Sequence, residues 1–129
     1  MNPAPNGMER ELTSLGIRSL HEWDALVFLY RHRTCILSGE HIARLLGYAS
    51  GPMVLALESL ESVGLISRSR SARGVRLYQI AAPQEPRRLE TLDRVMALAG
   101  ERATRLSLLD NFGKADRDAV NEGKRYGRK

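Results

Sequence analysis

The sequence predicts a mainly α-helical fold with a small β-hairpin, and three features of residues 38–80 predict it. A short helical segment ends at Gly47, a longer apolar one ends before Gly64, and two strand-like segments follow around a turn. Helix, turn, helix and hairpin in this order describe a winged helix-turn-helix, here followed by one further helix. The alternative is an ordinary helical hairpin within an α+β domain.

The first predicted helix of the domain runs from about 20 to 33. Ser19 and Glu22 match a Ser-x-x-Glu capping box, which satisfies backbone N–H groups at the start of a helix. Apolar residues follow at helical spacing, namely Leu20, Trp23, Leu26, Val27 and Tyr30. Residues 34–37 form a short segment of apolar and β-branched residues, which predicts a small strand.

The next two helices are predicted from their caps. Ser38 is expected to cap a helix over about 39–46, with the inward residues Ile42, Leu45 and Leu46. Gly47 suits the left-handed position that follows a helix C-terminus. Ser50 is expected to cap the second helix, which Gly64 ends. Strands are then predicted over 65–68 and 75–80, with a turn at 71–74.

After this hairpin, Pro83 and Pro86 mark a linker, and a further helix follows. Its apolar residues recur three and four apart, as in a helix–helix seam. The predicted homodimer interface consists of Leu89, Leu92, Met96, Ala99, Ala103 and Leu106. The alternative is that this stripe packs back on its own domain.

These elements divide the chain into four segments. We expect a flexible N-terminal segment at 1–18, with one or two weak helical turns over 8–15, and a winged helix-turn-helix domain at 19–82. A C-terminal dimerisation helix at 83–110 and a basic flexible tail at 111–129 are expected to follow.

Composition limits the function classes. The chain has 129 residues and a formal net charge of +5, which favours a polyanionic partner. Its single cysteine, Cys35, predicts a reducing compartment, and the short apolar runs predict a cytoplasmic protein with no membrane span. Cys35 is interpreted as a core residue, with a redox-sensing thiol as the alternative.

No pattern of catalytic or metal-binding residues is present in the sequence. His32, Cys35 and His41 match no tight ligand spacing, and there is no Gly-rich phosphate loop. We therefore expect no enzymatic activity, no metal and no cofactor.

Residues 60–68, which read Leu-Glu-Ser-Val-Gly-Leu-Ile-Ser-Arg, and residues 74–78 resemble the end of the recognition helix and the wing of MarR-type regulators. The resemblance covers residues 20–80 and is shared with PadR-like and ArsR-like winged helices. It implies a dimeric transcription factor that places its second helix in the major groove of double-stranded DNA.

The second helix departs from that family because it has no Lys or Arg between Pro52 and Gly64. Thymine methyl contacts from Val54 and Leu55 would replace arginine readout of guanine. The residues expected to face the major groove are Ser50, Gly51, Val54, Leu55 and Ser59.

The hairpin is basic, and the residues expected to bind phosphates or the minor groove are Arg68, Arg70, Arg73 and Arg76. One alternative is that these arginines form a solvated strand edge. Another is that the domain is a protein-interaction module, or binds DNA only within a larger complex.

Overall fold

The computed structural model describes residues 4–101 together with 104, 108, 109 and 112. Its elements, in chain order, are α1 (Ala4–Leu15), α2 (Leu20–Arg31), β1 (Leu37–Ser38), α3 (Gly39–Leu46), α4 (Ser50–Ser62), β2 (Ile66–Arg70), β3 (Arg76–Ile80) and α5 (Pro86–Ala97). The predicted fold class, a mainly α-helical winged helix-turn-helix with a further C-terminal helix, is confirmed. None of the described helices is long and apolar enough to cross a bilayer.

The strands form one antiparallel sheet in the order β1-β3-β2. The hairpin of β2 and β3 is called the wing below. Its register places Arg68 opposite Tyr78 and Arg70 opposite Arg76. The predicted first strand lies further along the chain than 34–37, because only Leu37 and Ser38 reach pairing positions, opposite Tyr78 and Leu77.

The predicted N-terminal cap of α2 is present in a shifted form. The Ser19 hydroxyl accepts a hydrogen bond from the backbone N–H of Glu22 at 3.1 Å. The Glu22 carboxylate in turn accepts from the backbone N–H of Arg18 at 3.0 Å, one residue before the expected donor. These bonds fix the chain entering α2 and hold the buried Glu22 carboxylate.

The helix-turn-helix pair, α3 and α4, follows the predicted bounds closely. The Ser38 hydroxyl accepts from the backbone N–H of His41 at 3.2 Å, and Gly47 has φ +80° after the last turn of α3. Two details were wrong. Ala49, not Ser50, is the N-cap of α4, because Ser50 is already helical. Leu45 is 55% exposed, because the buried side of α3 is formed by residues such as Ile42 and Ala43.

Within the predicted flexible segment at 1–18, Ala4–Leu15 form helix α1, which is longer than the one or two weak turns expected over 8–15. Met8, Leu12 and Leu15 recur at helical spacing and are buried in the core. Helix α1 packs against α5, and at its C-terminus the carbonyl of Leu15 accepts from the Arg88 guanidinium at 2.8 Å.

Two of the six residues of the predicted dimer seam are buried. Leu92 and Met96 lie in the core of their own chain, at 1% and 6% exposure, so they offer no surface to a second copy. Leu89 and Ala99 are half-buried. Ala103, Leu106 and all of the predicted tail at 111–129 except residue 112 lie outside the described residues.

Candidate nucleic-acid interface

Helix α4 has a buried face and an opposite, outward face. Its buried residues are Met53, Ala56, Leu57 and Leu60. Residues spaced by three or four lie on one side of a helix, so the opposite face carries Gly51, Leu55, Glu58 and Ser62. We call these four residues the outer row. Leu55 projects from it with 68% of its surface exposed.

The other predicted groove residues lie in different surroundings. Ser50 and Gly51 are exposed in the first turn of α4. Val54 is half-buried against the start of α3, where a Cβ on Gly39 would lie 2.9 Å from Val54 Cγ2. Ser59 is half-buried, and its hydroxyl accepts a hydrogen bond from Arg18 Nη2 at 3.4 Å. Of the predicted apolar pair, only Leu55 therefore points fully outward.

Three of the wing arginines share one face of the sheet. Directly opposed residues of an antiparallel pair have their side chains on the same side, and residues two apart along a strand do too. Arg68, Arg70 and Arg76 therefore share a face with Tyr78, which is 1% exposed and belongs to the core. This face is the one turned toward α4.

Two of these arginines form ion pairs with α4. Arg76 Nη1 lies 2.9 Å from Glu58 Oε2, and Arg68 Nε lies 3.8 Å from Glu61 Oε1. These two arginines, expected as phosphate ligands, thus have carboxylate partners in the free protein. Sequence inspection does not reveal the pairing, because Arg76 and Glu58 lie on different elements and 18 positions apart.

Arg70 and Arg73 are exposed and form no ion pair within the described residues. Arg73 lies in the turn of the wing, where the Ser71 hydroxyl accepts from the backbone N–H groups of Arg73 and Val75 at 3.3 and 3.2 Å. Arg70 lies opposite Arg76, and like charges in that position repel one another. An anion beside the wing would relieve this repulsion.

Sequence reasoning missed Arg18. It is exposed in the loop between α1 and α2, and its hydrogen bond to Ser59 spans 41 positions of the chain. Its guanidinium supplies a positive charge at the side of α4, whose own sequence has none. Only the packing of this loop against α4 reveals that position.

The other predicted candidates are not brought together into a site. Cys35 lies in the loop before β1 and is half-buried. Within the described residues, no group of three His, Cys, Asp or Glu side chains is arranged to hold a metal ion.

Solved structures provide the comparison, since no protein-family model and no curated protein matches the chain. A mutant of MepR from S. aureus, bound to an oligodeoxyribonucleotide, is 18% identical, with 94% of this chain and 86% of that chain covered and a TM-score of 0.55. YusO from Bacillus subtilis is 18% identical over 95% of this chain and 83% of its own, with a TM-score of 0.53.

A third structure, the transcriptional regulator BldR from Sulfolobus solfataricus, is 16% identical over 98% of this chain and 86% of its own, with a TM-score of 0.51. The chain has the fold of MarR-type winged-helix regulators. The predicted resemblance to the MarR-type fold is therefore confirmed, and it extends beyond residues 20–80 to include α1 and α5.

Proposed function

We propose that the protein is a cytoplasmic transcriptional regulator that binds double-stranded DNA. Helix α4 enters the major groove, and the wing lies along phosphates or the minor groove. The observation that carries this proposal is the pair of exposed wing arginines, Arg70 and Arg73, which form no ion pair within the described residues. The DNA-bound structure of MepR, which has the same fold, supports it.

The charges around α4 favour a polyanion despite the two glutamates on that helix. Arg76 and Arg68 neutralise Glu58 and Glu61, so phosphates approaching α4 do not meet bare carboxylates. Arg18 adds a further cation beside the helix. Partly exposed ion pairs of this kind contribute only about 0–1 kcal/mol each, so a phosphate can compete for either arginine.

A salt titration tests the wing. The probe is a mixed-sequence duplex, and the logarithm of the binding constant is measured against the logarithm of the salt concentration. Replacing Arg70 and Arg73 by Ala should weaken binding and flatten the slope by roughly 0.9 per lost phosphate contact. Arg87→Ala, an exposed arginine on α5, is the matched control and should leave the slope unchanged. An unaltered slope in the double variant would contradict the role of the wing. If the parent protein fails to bind the duplex at all, the proposal of DNA binding is wrong.

We further propose that the protein acts as a homodimer, which would bind palindromic half-sites about one helical turn apart. Because Leu92 and Met96 lie in the core, we propose that the dimer interface lies further along the chain, around Leu109. Leu109 is 39% exposed there and supports this position. Leu109→Asp should yield monomers in analytical ultracentrifugation, whereas Leu45→Asp, at an exposed leucine on α3, should not. A dimer that survives Leu109→Asp would place the interface elsewhere.

The second candidate function is a protein-interaction module. It is favoured by the outer row of α4, which contains no cation and exposes Leu55. Selection of bound fragments from genomic DNA discriminates the two functions. Enrichment of a common sequence supports the regulator, whereas no enrichment together with specific capture of a protein partner through α4 supports the module.

A further inference from the structure

We infer that the protein reads its DNA through the 5-methyl groups of thymine, using Leu55 as the contact. This inference rests on the proposed function, because it names what α4 recognises once it lies in the major groove. Thymine is the base that presents an apolar group there, and apolar side chains are its matching contacts.

The polar side chains of the outer row already have partners. The Glu58 carboxylate accepts from Arg76 at 2.9 Å. The Ser62 hydroxyl donates to the backbone carbonyl of Ser59 at 2.7 Å. Gly51 has no side chain, so Leu55 is the side chain of this row that reaches outward without a polar partner.

Base readout by hydrogen bonding is weak on helix α4. Guanine is commonly read by Arg or Lys and adenine by Asn or Gln, and α4 contains none of these four residue types. Its glutamates suit the amino group of cytosine, but Glu58 and Glu61 face Arg76 and Arg68 instead. The ion pairs compete with that contact, so apart from the exposed Ser50 hydroxyl the thymine methyl group is the base feature that this helix is best equipped to read.

The surface beside Leu55 is accessible to a base pair. A Cβ placed on Gly51 would meet no atom within 4 Å, so the surface one turn before Leu55 is open. A flat base-pair edge can therefore approach the Leu55 methyl groups without obstruction by the preceding turn. The half-buried Val54 lies beside it on the α3 side and contributes at the margin of the same contact.

The surrounding charges favour DNA over a protein as the occupant of this surface. A single leucine between a glycine and a neutralised glutamate is a small apolar area, whereas stable protein interfaces bury about 800 Å² on each partner. The exposed guanidinium groups of Arg18, Arg70 and Arg73 complement a phosphate backbone.

The experiment uses the full chain and a random-sequence duplex pool. Duplexes are enriched by selection with the wild-type protein, and the best ones are resynthesised with deoxyuridine in place of each thymidine in turn. Uracil lacks only the methyl group, so pairing is preserved. At one or two thymines per half-site, the substitution should weaken binding about fourfold, which corresponds to the ~0.8 kcal/mol of one buried methylene-sized group.

The variants make the assignment specific to Leu55. Leu55→Ala should lose most of the preference for thymine over uracil, because most of the contacting side chain is gone, and Leu55→Met should retain the preference. Leu45→Ala, an equivalent change at an exposed leucine on α3, should keep the full thymine preference. Leu55 is exposed, so its replacement leaves the core intact, and circular dichroism checks this.

Two results would overturn the inference while leaving DNA binding in place. One is an enriched duplex that tolerates uracil at every position, and the other is a thymine preference that is undiminished in Leu55→Ala. Failure to enrich any duplex would instead count against the proposed function itself. Specific capture of a protein through Leu55 would overturn both the thymine contact and the proposed DNA-binding function.

Discussion

The guanidinium of Arg76 on β3 donates a hydrogen bond to the carboxylate of Glu58 on α4 at 2.9 Å. This contact joins the wing to the helix proposed to enter the major groove. The contact neutralises one negative charge on the outward face of α4. It also engages one wing arginine that would otherwise be available to a DNA phosphate. The wing therefore offers fewer uncommitted cations than its four arginines suggest.

Replacing Glu58 by Gln should strengthen duplex binding. The change removes a carboxylate from the outer row and frees Arg76 for a phosphate, so the salt slope should steepen by roughly 0.9 per subunit. Glu90→Gln removes the same charge from α5 and is the matched control. Fluorescence anisotropy across a salt series measures both variants. Equal affinity changes in the two variants would mean that net charge, and not release of Arg76, is responsible.

The parts of the fold that the sequence predicts are those set by signals a few residues apart. The Ser38 hydroxyl and Gly47 bound α3 at the predicted residues because each acts on the adjacent backbone. Helix α1 is predicted only as one or two weak turns over 8–15, for the opposite reason. Its N-terminal part contains Pro5 and Gly7, which disfavour helix locally, while burial of residues such as Leu12 and Leu15 stabilises it from across the molecule.

The candidate site shows the same division. The exposed Leu55 follows from the helical period, because the buried face of α4 is evident in the sequence. The partners of Glu58 and Ser59 do not follow from it, since Arg76 and Arg18 reach them from other elements. Which arginines remain for phosphates is therefore a property of tertiary packing.

Replacing Tyr78 by Phe should stabilise the protein. The Tyr78 hydroxyl is buried and has no hydrogen-bond partner within the described residues, and a buried unsatisfied polar group costs about 1–3 kcal/mol. Removing it should raise the free energy of unfolding by about 1 kcal/mol in urea denaturation. Tyr48→Phe is the contrasting control, because its hydroxyl donates to the Asp24 carboxylate and its loss should destabilise. A destabilised Tyr78→Phe would indicate that the hydroxyl has a partner in solution.

Stability at alkaline pH should depend on Tyr30. Burial raises the pKa of Tyr30 above its ordinary value of 10.0, and the hydrogen bond that its hydroxyl donates to Asp93 at 2.8 Å adds to this. The unfolded chain releases the Tyr30 proton first as pH rises, so this contribution to stability is present below pH 10 and is lost as pH rises above it.

Urea denaturation between about pH 8 and about pH 11 measures this effect, since the window spans the pH range in which an unperturbed tyrosine loses its proton. Tyr30→Phe should show a smaller fall in the free energy of unfolding across this range than the parent protein does. Tyr48→Phe serves as a second single-tyrosine comparison. Identical pH profiles for Tyr30→Phe and the parent would rule out Tyr30 as the responsible group.

Gly39→Ala should destabilise the contact between α3 and α4. The added Cβ would lie 2.9 Å from Val54 Cγ2, and valine in a helix is held in one side-chain rotamer, so it does not move aside easily. Overpacking of this kind costs about 1–3 kcal/mol in the free energy of unfolding, measured by urea denaturation. In a Val54→Ala background the same change should cost little, because the clashing methyl is absent.

Gly51→Ala is the control. A Cβ at that position meets no atom within 4 Å and alanine favours helix, so the free energy of unfolding should rise by up to about 1 kcal/mol. A Gly39→Ala cost that persists without the Val54 methyl would show that the backbone, and not this side-chain contact, requires glycine.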